Sequence, residues 1–154
     1  MGLTNAIEHF ETLTRSPLVL ARIINAFFQH LPNKDKSFLL GYLVLPIVLH
    51  PASQDFLRKA RKTSSIRTFC NNRELLAGLP QRINAMRVIT NLAIQNSLDC
   101  EQLKLGPDLS LDFIANKNPE SILENQQKAA KNLAFIFEPY DVPAIYKLLG
   151  IKEL

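Results

Sequence analysis

One stretch limits what the rest of the chain can do. Phe38–Leu49 reads FLLGYLVLPIVL, without a single charge, and is followed by His50-Pro51. A segment apolar all round must be buried all round. Crossing a bilayer as a helix takes about 20 apolar residues, so this stretch is expected as the central helix of a small globular domain, running from about Ser37 to Leu49. Pro46 lies inside it. Proline has no N–H and crowds the preceding turn, so it should bend the helix or end its regular part.

The flanking sequence reads as helices built around that core. Ser16-Pro17 is a start signal, because serine caps and proline fits the first helical position. Leu20, Ile23, Ile24, Phe27, Phe28 and Leu31 then follow helical spacing, which predicts an amphipathic helix over 17–30. Pro32-Asn33 stops it. A short helix is expected over 51–60 and another after the cap Ser64-Ser65. A long one should run from Arg73 to about Asn96, with a bend or restart at Leu79-Pro80. CEQLKL and LSLD, separated by Gly106-Pro107-Asp108, alternate as a small hairpin over 100–112 does. A helix over 119–137 follows. The last helix spans Asp141 to Leu149, with Asp141 as its N-cap and Gly150 closing it. Residues 1–14 read as a short helix or an arm.

With 154 residues and 47% hydrophobic content, one domain over 1–154 is the natural size. The expected fold class is mainly α: a single compact helical domain with a small β-hairpin. The order long helix, hairpin, helix is also that of winged-helix modules. A winged-helix-like arrangement is therefore a further expectation, and a stand-alone DNA-binding regulator is the alternative function. Its recognition helix would lie near 82–96, with Arg82 and Arg87 as the only long cations there.

Charge is unevenly spread. Residues 1–98 hold twelve Lys/Arg against five Asp/Glu, and residues 99–154 hold six against nine. Such a split points to two surfaces with different partners. The densest basic run is Arg58, Lys59, Arg61, Lys62, Arg67 and Arg73. It suits phosphates or an acidic protein, and without a base-reading set it would bind nucleic acid blind to sequence. Two apolar sets are candidates for docking. One is Ile7, Phe10 and Leu13. The other lies in the segment 140–154 and includes Tyr140, Ile145, Tyr146 and Leu149. This closing segment must pack either on its own domain, which is the default, or on a partner.

No catalytic constellation is legible: no phosphate loop, nucleophile elbow or metal-ligand spacing. No enzyme, cofactor or metal is expected. Cys70 and Cys100 read as buried, reduced thiols of a cytoplasmic protein. His9, His30 and His50 read as structural, with His30 at a helix C-terminus where the dipole favours a positive ring. The N-terminus has no signal-peptide character and no lipidation motif.

Over nearly its whole length the chain also resembles a family. The residues are SPLVLARIINAFF, then FLLGYLVLPIVLHP, SSIRTF, NAMRVITNLAI and the closing YDVPAIYKLLGIKEL. This pattern is similar to the middle component of bacterial three-component ABC systems, the group that includes Lamassu-type anti-phage and anti-plasmid defence. The resemblance implies a non-catalytic accessory or regulatory subunit. Its partners would be an SMC/Rad50-like ATPase that hydrolyses nucleotide and senses DNA, and an effector subunit, often a nuclease. DNA would be met through that complex, and no membrane is implied.

Overall fold

Helix α1, Pro17–His30, is the element that the other long helices share. In the computed structural model the described residues are 16–115 and 123–152. Ser16 occupies the N-cap position of α1, although its hydroxyl makes no cap bond; its carbonyl accepts from the N–H groups of Val19 and Leu20. The apolar spacing read from sequence is realised in full, with Leu20, Ile23, Ile24, Phe27 and Phe28 all buried. Two long helices lie against α1: α6, Leu79–Asp99, and α7, Glu124–Phe137. At the centre the ring of Phe27 meets Phe28 and Phe137 edge-on, with centroids 5.0 and 6.1 Å apart. That is the arrangement aromatic quadrupoles favour.

The apolar stretch 38–49 is a 3₁₀ turn, Ser37–Leu40, followed by helix α2, Gly41–Val48. Leu43 through Val48 are buried without exception. Gly41 explains how α2 comes so close to its neighbours. A Cβ there would stand 3.0 Å from Ile94 Cδ1 and 3.8 Å from the Phe28 ring, so any larger residue would have to push the Ile94 side chain aside.

The last turn of α2 shows why an apolar helix of eight residues can end inside the domain. Its four final carbonyls have no partner within the helix and need one elsewhere. Leu45 O accepts from the Leu49 N–H and Ile47 O from the His50 N–H. Val48 O accepts from the Gln54 amide at 3.1 Å, and Pro46 O from Arg82 Nε at 3.1 Å. The chain then turns into α3, Pro51–Arg58, which packs on α7.

Two short helices follow, α4 (Ile66–Cys70) and α5 (Arg73–Leu76). Ser65 caps α4 in a reciprocal capping box with Thr68, and the Asn72 side chain caps α5. The helix expected from Arg73 to Asn96 is therefore two. Gly78, at φ +71°, breaks it, and α6 restarts at Leu79-Pro80 and runs on to Asp99. Arg82 closes this corner as well. Its guanidinium donates to Leu75 O at 3.1 Å and to Ala77 O.

Strands β1, Leu103–Leu105, and β2, Leu111–Phe113, pair antiparallel with Lys104 opposite Asp112. The hairpin does not stand out as a wing. Its turn is bound down to the segment before the 3₁₀ turn and to the turn itself. Lys36 N–H donates to Asp108 O at 3.0 Å, Phe38 N–H to Leu109 O at 2.9 Å, and Leu111 N–H to Ser37 Oγ at 2.9 Å. Asn33 adds a bond to Asp112 at 2.7 Å.

Helix α8, Val142–Leu148, ends the fold. Asp141 caps it by accepting from the Ala144 N–H at 2.9 Å, and Gly150 takes φ +74°. The loop between α7 and α8 is held by Lys34, whose ammonium donates to the carbonyls of Phe137, Glu138 and Tyr140. Burial lowers the Lys34 pKa, and Glu138 and Asp141 partly offset that. The expected arm over 1–14 and the start of the helix placed at 119 lie outside the described residues. Among the described residues, no single helix is long and apolar enough to cross a membrane.

Candidate functional site

The residues of the basic run sit in different local settings. Arg58 and Lys59 sit at the end of α3 and share Asp55, at 3.4 and 3.2 Å. Lys59 and Asp55 line a hollow of about 510 Å³ together with Glu74 and Asn72, so the local charge there is mixed. Arg67 and Arg73 are exposed on α4 and α5 and line neither that hollow nor the one described next.

Arg61 and Lys62 are different. They project from a tight turn closed twice between Arg61 and Ser64: Ser64 N–H donates to Arg61 O, and Arg61 N–H to Ser64 Oγ, both at 2.9 Å. The capping box of α4 follows at once, so the backbone under these two cations is fixed. They border a hollow of about 470 Å³ whose other wall is α7, with Asn132, Phe135 and Ile136. Asn132 joins the two walls by donating to Leu57 O at 2.7 Å. Phe135 is an aromatic residue left 48% exposed on a helix whose other large apolar groups are buried. Its ring lies 6.0 Å from both the His30 ring and the Lys131 ammonium. Among the described residues, no carboxylate lines this hollow. The sequence reading missed Phe135, because it stands beside Ile136 and Phe137 in an apolar run and only the helix's orientation separates it from them.

The histidines of the described residues are held neutral. Burial, and then the Lys131 charge, lower the His30 pKa. The dipole argument for a positive His30 is outweighed there. At His50, burial and then Arg82 act in the same direction, and its Nδ1 lies 2.9 Å from Ser53 Oγ. Cys70 is half-buried, and that burial raises its pKa. Cys100 is exposed, in contrast to the expected buried thiol. Among the described residues, no group of three or more His, Cys, Asp or Glu could hold a metal ion.

The C-terminal apolar set packs on its own domain. Ile145 and Leu149 are buried in the common core, so they offer a partner no surface. Tyr140 and Tyr146 are half-buried, and the Tyr146 hydroxyl donates to Leu39 O. Burial, and then Tyr42, raise the Tyr146 pKa. Ile7, Phe10 and Leu13 lie outside the described residues.

Exposed apolar surface appears instead on α6. Val88 and Leu92, one turn apart, are 71% and 53% exposed, whereas Ile83, Thr90, Ala93 and Ile94 face inward. Leu105 and Ile114, also exposed, border a hollow of about 450 Å³ with Leu98 and Leu103 where α6 meets the hairpin. The expected recognition helix thus presents Val88 and Leu92 among the exposed amides Asn84, Asn91 and Gln95, and Arg82 is engaged by three main-chain carbonyls.

A family model described as ABC-three component (ABC-3C) system Middle Component 3 matches residues 4–153. Neither the curated proteins nor the solved structures include a match.

Proposed function

The chain belongs to the Middle Component 3 family of ABC-three component systems, and from that premise we propose that it is a non-catalytic accessory subunit of a defence complex. Membership implies partner components such as an ABC ATPase. The finer reading is that the ATPase is SMC/Rad50-like, the effector is a nuclease and the system is of the Lamassu type, acting in the cytoplasm against phage or plasmid. The middle component joins ATPase to effector by protein contacts and touches DNA through its basic surface.

The observation that carries the bridging role is the exposed α6 face. Val88 and Leu92 are large apolar side chains on a helix whose inner face is already packed. Covering the two together, one turn apart, would remove apolar area from water, which favours association. The basic turn lies on other elements, α3 to α4 and α7, which gives the domain two surfaces of different chemistry. Co-expression with the ATPase and effector of its system, followed by size-exclusion chromatography, tests the reading. Co-elution supports it. A chain that elutes alone in the presence of both would count decisively against it.

A further inference from the structure

We infer that the hollow between the Arg61–Ser64 turn and α7 holds single-stranded nucleic acid, with Phe135 as the surface on which a base stacks. This rests on the nucleic-acid part of the reading above and narrows it from a basic run to one site. Three observations converge. Arg61 and Lys62 stand on a backbone closed by two hydrogen bonds, so two exposed cationic side chains leave the same turn at the rim of the hollow. Among the described residues, the hollow they border has no carboxylate in its lining, unlike the neighbouring one with Asp55 and Glu74. An aromatic ring, 48% exposed, lines the opposite wall and has a lysine ammonium 6.0 Å from its centroid.

A cationic track beside an exposed ring is how sequence-tolerant single-strand sites are made: phosphates meet the cations and a base meets the π-face. In duplex DNA the bases are stacked on one another, so the ring would have no base to take. An acidic protein segment would use Arg61 and Lys62 but gain nothing specific from Phe135. The hollow, about 470 Å³, falls within the size range of small-ligand clefts.

The test is fluorescence anisotropy with a labelled oligothymidylate, a duplex of equal length and labelled polyglutamate, at low and moderate salt. Phe135→Ala removes a half-buried ring, so it should lower the thermal melt by a few degrees and leave the chain folded at the assay temperature. It should weaken single-strand binding at least about fivefold, with the salt slope unaltered. Phe135→Trp should retain binding. Arg61→Glu with Lys62→Glu should weaken it further and, with about two phosphate contacts gone, flatten the slope by roughly 1.4. If Phe135→Ala binds like the parent, or the duplex binds as tightly as the single strand, the stacking site is wrong although the basic surface survives. Equal or tighter binding of polyglutamate overturns it in favour of an acidic protein. Loss on Arg67→Glu with Arg73→Glu but not on the Arg61 and Lys62 pair moves the contact elsewhere. Binding of none of the three probes at low salt removes both the site and the nucleic-acid role, leaving the bridging role to its own test.

Discussion

Replacing Arg82 by methionine should unpin two parts of the fold at once. Methionine keeps most of the aliphatic stem but removes every donor. Three carbonyls lose a partner: Pro46 O at the end of the apolar helix, and Leu75 O and Ala77 O at the corner where α5 gives way to α6. Hydrogen bonds from a charged donor contribute about 1.5–3 kcal/mol each. Arg82 is half-exposed, so water can reach some of the freed oxygens. Leu75 O also keeps a long bond from Ser53 Oγ, at 3.5 Å. The combined loss should therefore be nearer to one or two full bonds than to three, about 2–3 kcal/mol. For a domain of this size that lowers Tm by about 5–10 °C. Arg82→Lys should recover only part of it, because one ammonium cannot reach both α2 and the corner. Urea denaturation of parent, Arg82→Met and Arg82→Lys measures the three values. A loss under about 0.5 kcal/mol for the methionine variant, within the range of an ordinary surface substitution, would refute the idea that this side chain closes α2.

Four further outcomes follow from particular contacts. Gly41→Val should cost about 1–3 kcal/mol by forcing α2 away from Ile94 and Phe28, read by the same denaturation. Leu109→Gly should hold or raise Tm, contrary to most leucine truncations. Leu109 sits at φ +59° with its side chain exposed, and the bond it accepts from Phe38 is made by its main chain. His30 and His50 both have pKa values lowered from 6.5. A folded value below the unfolded one means the unfolded chain binds more protons in between. Their contribution is thus present above pH 6.5 and lost as pH falls through the lowered values, so denaturation midpoints should drop on acidification. Lys131→Gln should raise the His30 pKa, followed by NMR of the imidazole protons, and leave that of His50 in place.

How much of this was legible in the sequence differs from element to element. Helix α1 was readable to its ends, because Ser16-Pro17 and Pro32-Asn33 punctuate a clean helical spacing. The core role of FLLGYLVLPIVL followed from its lack of charge, and the hairpin from short alternation around Gly106-Pro107-Asp108. The break at Gly78 was read as a bend or restart at the following residues. Local sequence does not record that Arg82 takes the carbonyls of Leu75 and Ala77 where α5 and α6 part. The docking of the hairpin tip depends on Asn33, Lys36 and Ser37, more than 70 residues away in sequence from most of their partners. The basic run was visible as composition. That Arg58 and Lys59 share Asp55, while Arg61 and Lys62 border a hollow with Phe135, is a matter of three-dimensional packing. The apolar C-terminal segment was ambiguous, since an amphipathic helix carries no mark of whether its own domain or another covers it. Here Ile145 and Leu149 are covered by their own domain, and Val88 and Leu92 are left exposed.

The claim at the centre is that this domain works by holding other proteins, with the outer face of α6 as one of its contacts. The direct measurement is size-exclusion chromatography of the ATPase and effector with either the parent chain or Val88→Glu/Leu92→Glu. Both side chains are solvent-exposed, so the double variant should melt within a few degrees of the parent. The account predicts that the parent co-elutes with at least one partner and that the double variant, still folded, elutes alone. A folded double variant that remains in the complex contradicts the α6 contact, and a parent chain that never enters one contradicts the bridging role itself.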